Sequence, residues 1–332
     1  MSVLVTGGAG YIGSHMTYAL LDRGERVVVL DNLSTGVRGL VGETASFVEG
    51  EAGDAKLVEC LIAEHEVDAV IHFAGSIVVP ESVADPLRYY ANNTMVSRVL
   101  AAACVATGVR HFIFSSTAAV YGMGNGELVT EEAAKEPINP YGRSKLMTEW
   151  ILQDTAAAHP IKFGILRYFN VAGADPKGRT GQSTPRATHL IKRACQAVTG
   201  QVPHLTIFGT DYDTPDGTGV RDYIHVSDLV DIHQCVLAYL RKGGNSLLIN
   251  CGYGRGFSVR EVAAMVERVS GQKLKIELAP RRPGDMASVI ANTAKLSRIL
   301  NWKPRYADLE TIVSTALAWE RRIKGEMEAS VP

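Results

Sequence analysis

Tyr141 and Lys145 stand four positions apart in Pro140-Tyr141-Gly142-Arg143-Ser144-Lys145, a spacing that puts a phenol and an ammonium on one face of a helix. A tyrosine titrates near ~10, and each unit of depression is worth about 1.4 kcal/mol of preference for the phenolate. A neighbouring ammonium supplies such a preference, so the pair can act as a base toward an alcohol proton. By itself Tyr-x-x-x-Lys is more often an ordinary amphipathic pair. Its company changes that reading: His111-Phe112-Ile113-Phe114 leads into Ser115-Ser116-Thr117, which delivers hydroxyls to the carboxyl end of a strand, where doubly wound folds bind ligands. Thr117 could then orient a substrate alcohol beside Tyr141.

The redox half of such chemistry is signalled at the other end of the chain. Thr6-Gly7-Gly8-Ala9-Gly10-Tyr11-Ile12-Gly13 follows a β-branched run directly and opens a helical stretch. Glycines there let the chain turn tightly and let a pyrophosphate reach the helix N-terminus. Asp31 ends the next β-branched run, at the distance where a carboxylate bonds adenosine ribose hydroxyls and repels a 2′-phosphate. The cofactor expected is NAD rather than NADP. With the positive nicotinamide beside it, Lys145 is expected to make Tyr141 a base near neutrality. Gly53-Asp54 and Phe73-Ala74-Gly75 follow the third and fourth strands and should border the cofactor, although each alone reads as a loop.

These groups need a scaffold, and the chain supplies one. Val3-Leu4-Val5, Val27 to Leu30, Ala69 to Phe73, His111 to Phe114 and Phe163 to Leu166 are apolar on both faces and alternate with helical stretches, as a parallel sheet covered on both sides requires. The fold class expected is α/β, a Rossmann-type doubly wound parallel sheet with a smaller C-terminal substrate domain. After Val171 the pattern turns to loops rich in Gly, Pro, Asp and Thr (Gly173 to Pro185, Gly209 to Gly219), and Leu247-Leu248-Ile249-Asn250 is a further strand expected to return to the main sheet. The division expected is 1–172 with 225–250 for the dinucleotide, and 173–224 with 251–332 for the substrate.

The apolar fraction of 46% excludes a disordered chain. Basic residues (34) almost balance acidic ones (35), so no bulk field favours nucleic acid or an anionic membrane. Five cysteines without Cys-x-x-Cys spacing argue against a disulfide framework. The start of the sequence lacks the features of a signal peptide, and no apolar stretch reaches the ~18 residues of a membrane span. A cytoplasmic protein without a metal site is expected.

The fingerprint, the run from Ser115 to Gly122, the Tyr141 segment and Arg167-Tyr168-Phe169-Asn170 resemble the extended short-chain dehydrogenase/reductases. Gly209 to Tyr212 and Asp216 to Val226 resemble, within them, the UDP-glucose 4-epimerases, and the similarity runs from residue 2 to about 320. The resemblance implies catalytic roles for Tyr141, Lys145 and Thr117. It implies cofactor contacts from Gly7, Gly10, Tyr11, Ile12, Gly13, Asp31, Asn32, Asp54, Phe73, Ala74, Gly75, Asn92, Ser115, Tyr141, Lys145 and Tyr168. It further implies contacts to a UDP-sugar from Thr117, Tyr141, Asn170, His189, Leu190, Phe208, Arg221, Tyr223, Val259, Arg282 (or its neighbour Arg281), Asp285 and Val289. Pairing of the helices expected near Asp85 to Thr107 and Tyr141 to Ala158 with their copies in a homodimer is implied as well.

Some positions depart from that family's pattern. Thr117 replaces a serine and keeps the hydroxyl; Ser76-Ile77 replaces Leu-Lys, and His189-Leu190 replaces Asn-Leu. Related dehydratases carry Asp-Glu after the threonine, an acid and base for eliminating water, where this chain has Ala118-Ala119. The resemblance therefore implies NAD-dependent C4 epimerisation of UDP-glucose and UDP-galactose through a 4-keto sugar. The competing expectations are a 4-epimerase of a UDP-N-acetylhexosamine or UDP-pentose, a 4,6-dehydratase or decarboxylase, of which that absence disfavours dehydration, and a non-catalytic NAD sensor, which has little use for Tyr141, Lys145 and Thr117 together.

Overall fold

The computed structural model describes residues 1–122, 128–184, 187–282 and 284–329; Pro185, at the end of the first loop, and Pro283, in the arginine motif, lie outside the described residues. The first half of the chain lays down β1 (Ser2–Thr6), β2 (Arg26–Asp31), β3 (Ser46–Glu49), β4 (Val67–His72), β5 (His111–Thr117) and β6 (Lys162–Tyr168). The second half adds β7 (Asn170–Ala172), β8 (Leu205–Phe208), β9 (Val220–His225), β10 (Leu247–Cys251), β11 (Gly256–Ser258), β12 (Ile276–Ala279) and β13 (Ser288–Val289). Seven of these form one parallel sheet in the order β10-β6-β5-β4-β1-β2-β3. Strand order reverses between β1 and β4, and a ligand crevice opens at such a point.

The helices are α1 (Tyr11–Leu21), α2 (Ala55–Glu64), α3 (Val79–Ala84), α4 (Pro86–Tyr89), α5 (Val96–Thr107), α6 (Pro140–Ala158), α7 (Leu190–Val198), α8 (Val226–Arg241), α9 (Val259–Ser270), α10 (Ala294–Leu300) and α11 (Leu309–Ala329). On one face of the sheet Val3, Val5, Ile113 and Leu166 pack with Leu229 and Ile232 of α8; on the other Leu4, Phe112, Phe114 and Ile165 pack with Leu100 of α5 and Leu152 of α6. Each such aliphatic side chain contributes about 1.5–3 kcal/mol on burial. Strand alternation then decides the polar tips of β5 and β6: Ser116 and Arg167 share the face of α6, while Ser115 and Tyr168 share the face of α8.

Local signals start the helices that matter. Asn139 accepts the Gly142 N–H at 2.8 Å and Pro140 occupies the first turn of α6, so Asn139→Ala is expected to cost ~1 kcal/mol and loosen the turn that carries Tyr141. The stretch expected to run helically from Asp85 to Thr107 is broken. Tyr90–Met95 forms a π-helical turn between α4 and α5, a device frequent at functional sites. The second half builds a small sheet, β11-β9-β13 with β7 against β9, and a parallel pair of β8 and β12, over a core that includes Ile191, Cys195, Val262 and Val313. Among the described residues no helix is long and apolar enough to cross a membrane and no His/Cys/Asp/Glu group is placed to hold a metal; all five cysteines are free.

Candidate active site at the sheet edge

The loop after β1 is shaped by what its glycines leave out. Gly7 has φ +71°, and a Cβ there would come within 2.6 Å of the Ala74 nitrogen; a Cβ on Gly13 would come within 2.1 Å of the Gly7 oxygen. Gly10 precedes α1 without a side-chain cap, which leaves the amides of Tyr11, Ile12 and Gly13 for an anion. Asp31 is buried, and its two oxygens accept the N–H groups of Ala9 and Leu33, each at 2.9 Å. A carboxylate has about four acceptor sites, so Asp31 both fixes the loop and keeps capacity for ribose hydroxyls. The amides of Phe73 and Ala74 both donate to the Thr6 carbonyl, at 3.0 and 3.1 Å. Asn32 is tied to Glu51 and Ser34, and Asp54 caps α2 by accepting from Leu57. An uncapped helix N-terminus, a glycine cradle that any Cβ would fill and an acid at the end of β2 fit a dinucleotide.

At the carboxyl end of β5 Tyr141, Lys145 and Thr117 come together. Lys145 is buried and donates to the Ser115 carbonyl at 3.0 Å, with its ammonium 4.9 Å from the Phe114 ring. Burial pulls its pKa down to about 8. Thr117 accepts the Ala119 N–H at 3.1 Å, and its hydroxyl faces the Tyr141 phenol. Burial raises the Tyr141 phenol above its ordinary value and the Thr117 bond pulls the other way. The expected near-neutral phenol is therefore not a property of the ligand-free chain. Desolvation outweighs the pull of Thr117, and the Lys145 ammonium is directed at the Ser115 carbonyl.

Three neighbours were not visible in the sequence. Tyr89 meets the Tyr141 ring edge-on, centroids 6.5 Å apart, and is anchored by its hydroxyl to the Val78 carbonyl at 2.6 Å. Asn93 is buried: it accepts the Ser76 N–H at 2.7 Å and donates to the Ser144 hydroxyl at 2.9 Å. Asn92, expected at the cofactor, is exposed and donates to the Ser76 hydroxyl. His233 accepts from the Tyr168 hydroxyl at 2.5 Å while its other nitrogen donates to the Leu229 carbonyl; burial raises the Tyr168 phenol well above its ordinary value.

Of the residues expected to meet the substrate, Asn170 and Tyr223 are paired across β7 and β9 and line one cleft with Tyr11, His189 and Leu190. Phe208 and Val259 are not among that cleft's lining residues. Val259 opens α9 with its N–H on the Gly219 carbonyl, and Phe208 lies under the Arg282 guanidinium at 3.7 Å. Arg221 donates to the Val220 carbonyl and stands 3.9 Å from Asp285. Arg281 is engaged instead with Tyr212 and the Asp211 carboxylate. Val289 is buried in an apolar cluster with Val120, Tyr121, Leu146 and Phe169, so it packs directly behind the turn that follows Thr117.

A doubly wound sheet with a dinucleotide cradle at its switch point and a Tyr-Lys-Thr cluster beside it defines a nucleotide-dependent enzyme acting at an alcohol carbon. Residues 3–252 match the NAD dependent epimerase/dehydratase family, and the chain belongs to it. It is 57% identical to the UDP-glucose 4-epimerase of Azospirillum brasilense over 97% of this chain and 92% of that one. Among solved structures it resembles the UDP-glucose 4-epimerase from Brucella ovis in complex with NAD (TM-score 0.93, 42% identity, 96% and 97% of the two chains). It also resembles the UDP-Glc/GlcNAc 4-epimerase of Campylobacter jejuni (TM-score 0.85, 46% identity, 97% and 99%).

Proposed function

We propose that this protein interconverts UDP-glucose and UDP-galactose by inverting C4 of the hexose through a transient 4-keto sugar. The observation that carries the reading is the meeting of Tyr141, Thr117 and Lys145 at the end of β5, next to a loop fit for a dinucleotide. Tyr141 takes the proton of the sugar 4-hydroxyl and later returns it, a role worth roughly 10²- to 10⁴-fold. Thr117 orients that hydroxyl. Lys145 favours the phenolate and reaches the cofactor ribose. NAD, when bound, supplies the acceptor and then the donor for the C4 hydride. Arg221 and Arg282 hold the diphosphate, which suits two planar guanidiniums. Asn170, His189, Leu190, Phe208, Tyr223, Val259 and Asp285 hold the rest of the nucleotide sugar. Ala118 and Ala119 offer no acid or base for eliminating water, which favours epimerisation over dehydration.

Residues 1–172 with 225–250 carry the cofactor in this reading, and 173–224 with 251–332 carry the substrate. The protein works as a cytoplasmic homodimer: Leu87, Met95, Met147 and Trp150 are exposed apolar residues within the two segments expected to pair. Light scattering at micromolar concentration checks this, and a monomer mass overturns it. For the activity, purified protein given UDP-galactose without added cofactor should form UDP-glucose, and the denatured protein should release NAD. Turnover that needs added NADP, or no interconversion, overturns the assignment.

A further inference from the structure

Below Tyr141 and Lys145 lies a buried ionic arrangement that the proposed chemistry does not use. Glu149, one turn beyond Lys145 on α6, is 0% exposed, and Arg167 of β6 is 1% exposed. One Glu149 oxygen accepts the Ser116 hydroxyl at 2.5 Å and the Arg167 Nε at 2.9 Å; the other accepts the Arg167 Nη2 at 2.5 Å. The remaining Arg167 nitrogen, Nη1, donates to the Tyr121 hydroxyl at 2.8 Å, and Tyr121 donates to Asn250 on β10 at 2.5 Å. Asn250 donates to the Val129 carbonyl at 2.8 Å, and the Val129 N–H reaches the Ile290 carbonyl, beside Val289. A continuous run of hydrogen bonds thus joins the helix of Tyr141 to the strands of Thr117 and Arg167 and to the substrate-side strand.

Two buried charges are a poor way to fill a core, because an apolar set of the same volume is often as stable or more so. What the bidentate pair adds is direction. Ser116 lies between Ser115, whose carbonyl receives Lys145, and Thr117, whose hydroxyl meets Tyr141. Helix and strand are therefore tied twice, by Lys145 to Ser115 and by Glu149 to Ser116. Neither tie alone fixes both the separation and the tilt of α6 against β5.

We propose that Glu149, clamped by Arg167 and Ser116, is a positioning residue that sets Tyr141 and Lys145 against Thr117. The proposal rests on the roles assigned to those three residues. A misplacement of about 1 Å can cost 10²-fold, so Glu149→Gln is expected to lower kcat roughly 10- to 100-fold while UDP affinity and NAD content stay within about twofold. The isotope effect on kcat from substrate deuterated at C4 should rise, because hydride transfer becomes limiting. Glu149→Gln leaves Arg167 as an unpaired buried charge and lowers Tm. The double variant Glu149→Gln/Arg167→Met removes that charge and should recover Tm without recovering kcat. Ser116→Ala cuts only the strand tether and should lower kcat several-fold at nearly wild-type Tm. The proposal is overturned if kcat returns with Tm in the double variant, if Ser116→Ala turns over like wild type, or if UDP binding falls in step with kcat. Interconversion by the wild-type protein is measured first, so a failure of the assigned activity is seen separately.

Discussion

The proposed cofactor side and the proposed nucleotide-sugar side of the crevice are held by different kinds of contact. On the cofactor side the polar groups are buried and bonded to each other before any ligand arrives: Asp31 to the glycine loop, Asn93 to Ser76 and Ser144, Glu149 to Arg167, Tyr168 to His233. On the other side Arg282 rests on Phe208, Arg281 on Tyr212, and Arg221 stands 3.9 Å from Asp285. Exposed cation–π contacts are worth about 0.5–1 kcal/mol, little enough to be exchanged for a ligand. The first arrangement fixes where reacting groups stand; the second keeps cationic arms available for an anion. Electrostatic preorganisation belongs where charge develops, and adjustable contacts belong where different ligands must be held.

Acid should break this contrast most strongly, because the buried histidines lie in or beside the cofactor side. Burial lowers the pKa of His72 and His225 to about 3 and of His15 and His233 to about 4. His72 accepts from Thr6 and donates to Ser97, so protonation would break a satisfied pair. With folded values below the ordinary 6.5, the unfolded chain binds protons that the folded one refuses. Stability is then complete above pH 6.5 and falls as pH drops toward 3, by up to about 1.4 kcal/mol per unit for each histidine. Asp222, raised to about 6 by burial, opposes this with a single proton between pH 6 and 4. Thermal melts from pH 7.5 to 4.5 should show a steep loss that His72→Gln makes shallower; a flat Tm removes the argument.

Tyr141→Phe comes next in size. It deletes the proposed proton acceptor but leaves the ring against Tyr89 and the arginines untouched. Turnover should fall roughly 10²- to 10⁴-fold with UDP affinity unchanged by calorimetry. Near-normal turnover would require another base.

The same contrast explains what could be read from the sequence. Strands buried on both faces announce themselves as β-branched runs, whereas β3, Ser46–Glu49, is an edge strand with exposed ends and gives no such run. Tyr141, Lys145 and Thr117 are legible because i, i+4 spacing and a strand end are local facts. The buried role of Asn93 was not legible beside Asn92 because the π-helical turn shifts the helical phase, and adjacent asparagines do not declare which one turns inward. Tyr89 touches Tyr141 only through the tertiary fold, and Glu149 pairs with Arg167 across two elements, so neither contact has a local signal. The phenol's upward shift depends on burial, which spacing does not report.

Arg282→Ala tests the adjustable side. Loss of a charge-assisted bond to phosphate should weaken UDP binding by about 1.5–3 kcal/mol, roughly 10- to 100-fold, while an exposed arginine stacked on one ring leaves Tm almost unmoved. An unchanged affinity would transfer the role to Arg281.

The smallest expected effect is on substrate breadth, through Val289. Its side chain is buried among Val120, Tyr121, Leu146 and Phe169, so it is a core residue and at the same time lies behind the turn that carries Thr117. One added contact in a pocket discriminates by about 1–3 kcal/mol. A tyrosine at 289 that projected toward the hexose should therefore lower kcat/KM for UDP-N-acetylgalactosamine relative to UDP-galactose by about tenfold, or ~1.4 kcal/mol. A tyrosine forced into the cluster instead would overpack it and cost about 1–3 kcal/mol of stability. The two consequences separate cleanly when both substrates and the melting temperature are measured on the same preparation. A changed ratio with a modest loss of Tm places the side chain at the sugar; an unchanged ratio with a lower Tm makes Val289 a packing residue only. In that second case the breadth of the pocket must be set by neighbours on the exposed side of the strand, with Ser288 and Ile290 the next to vary.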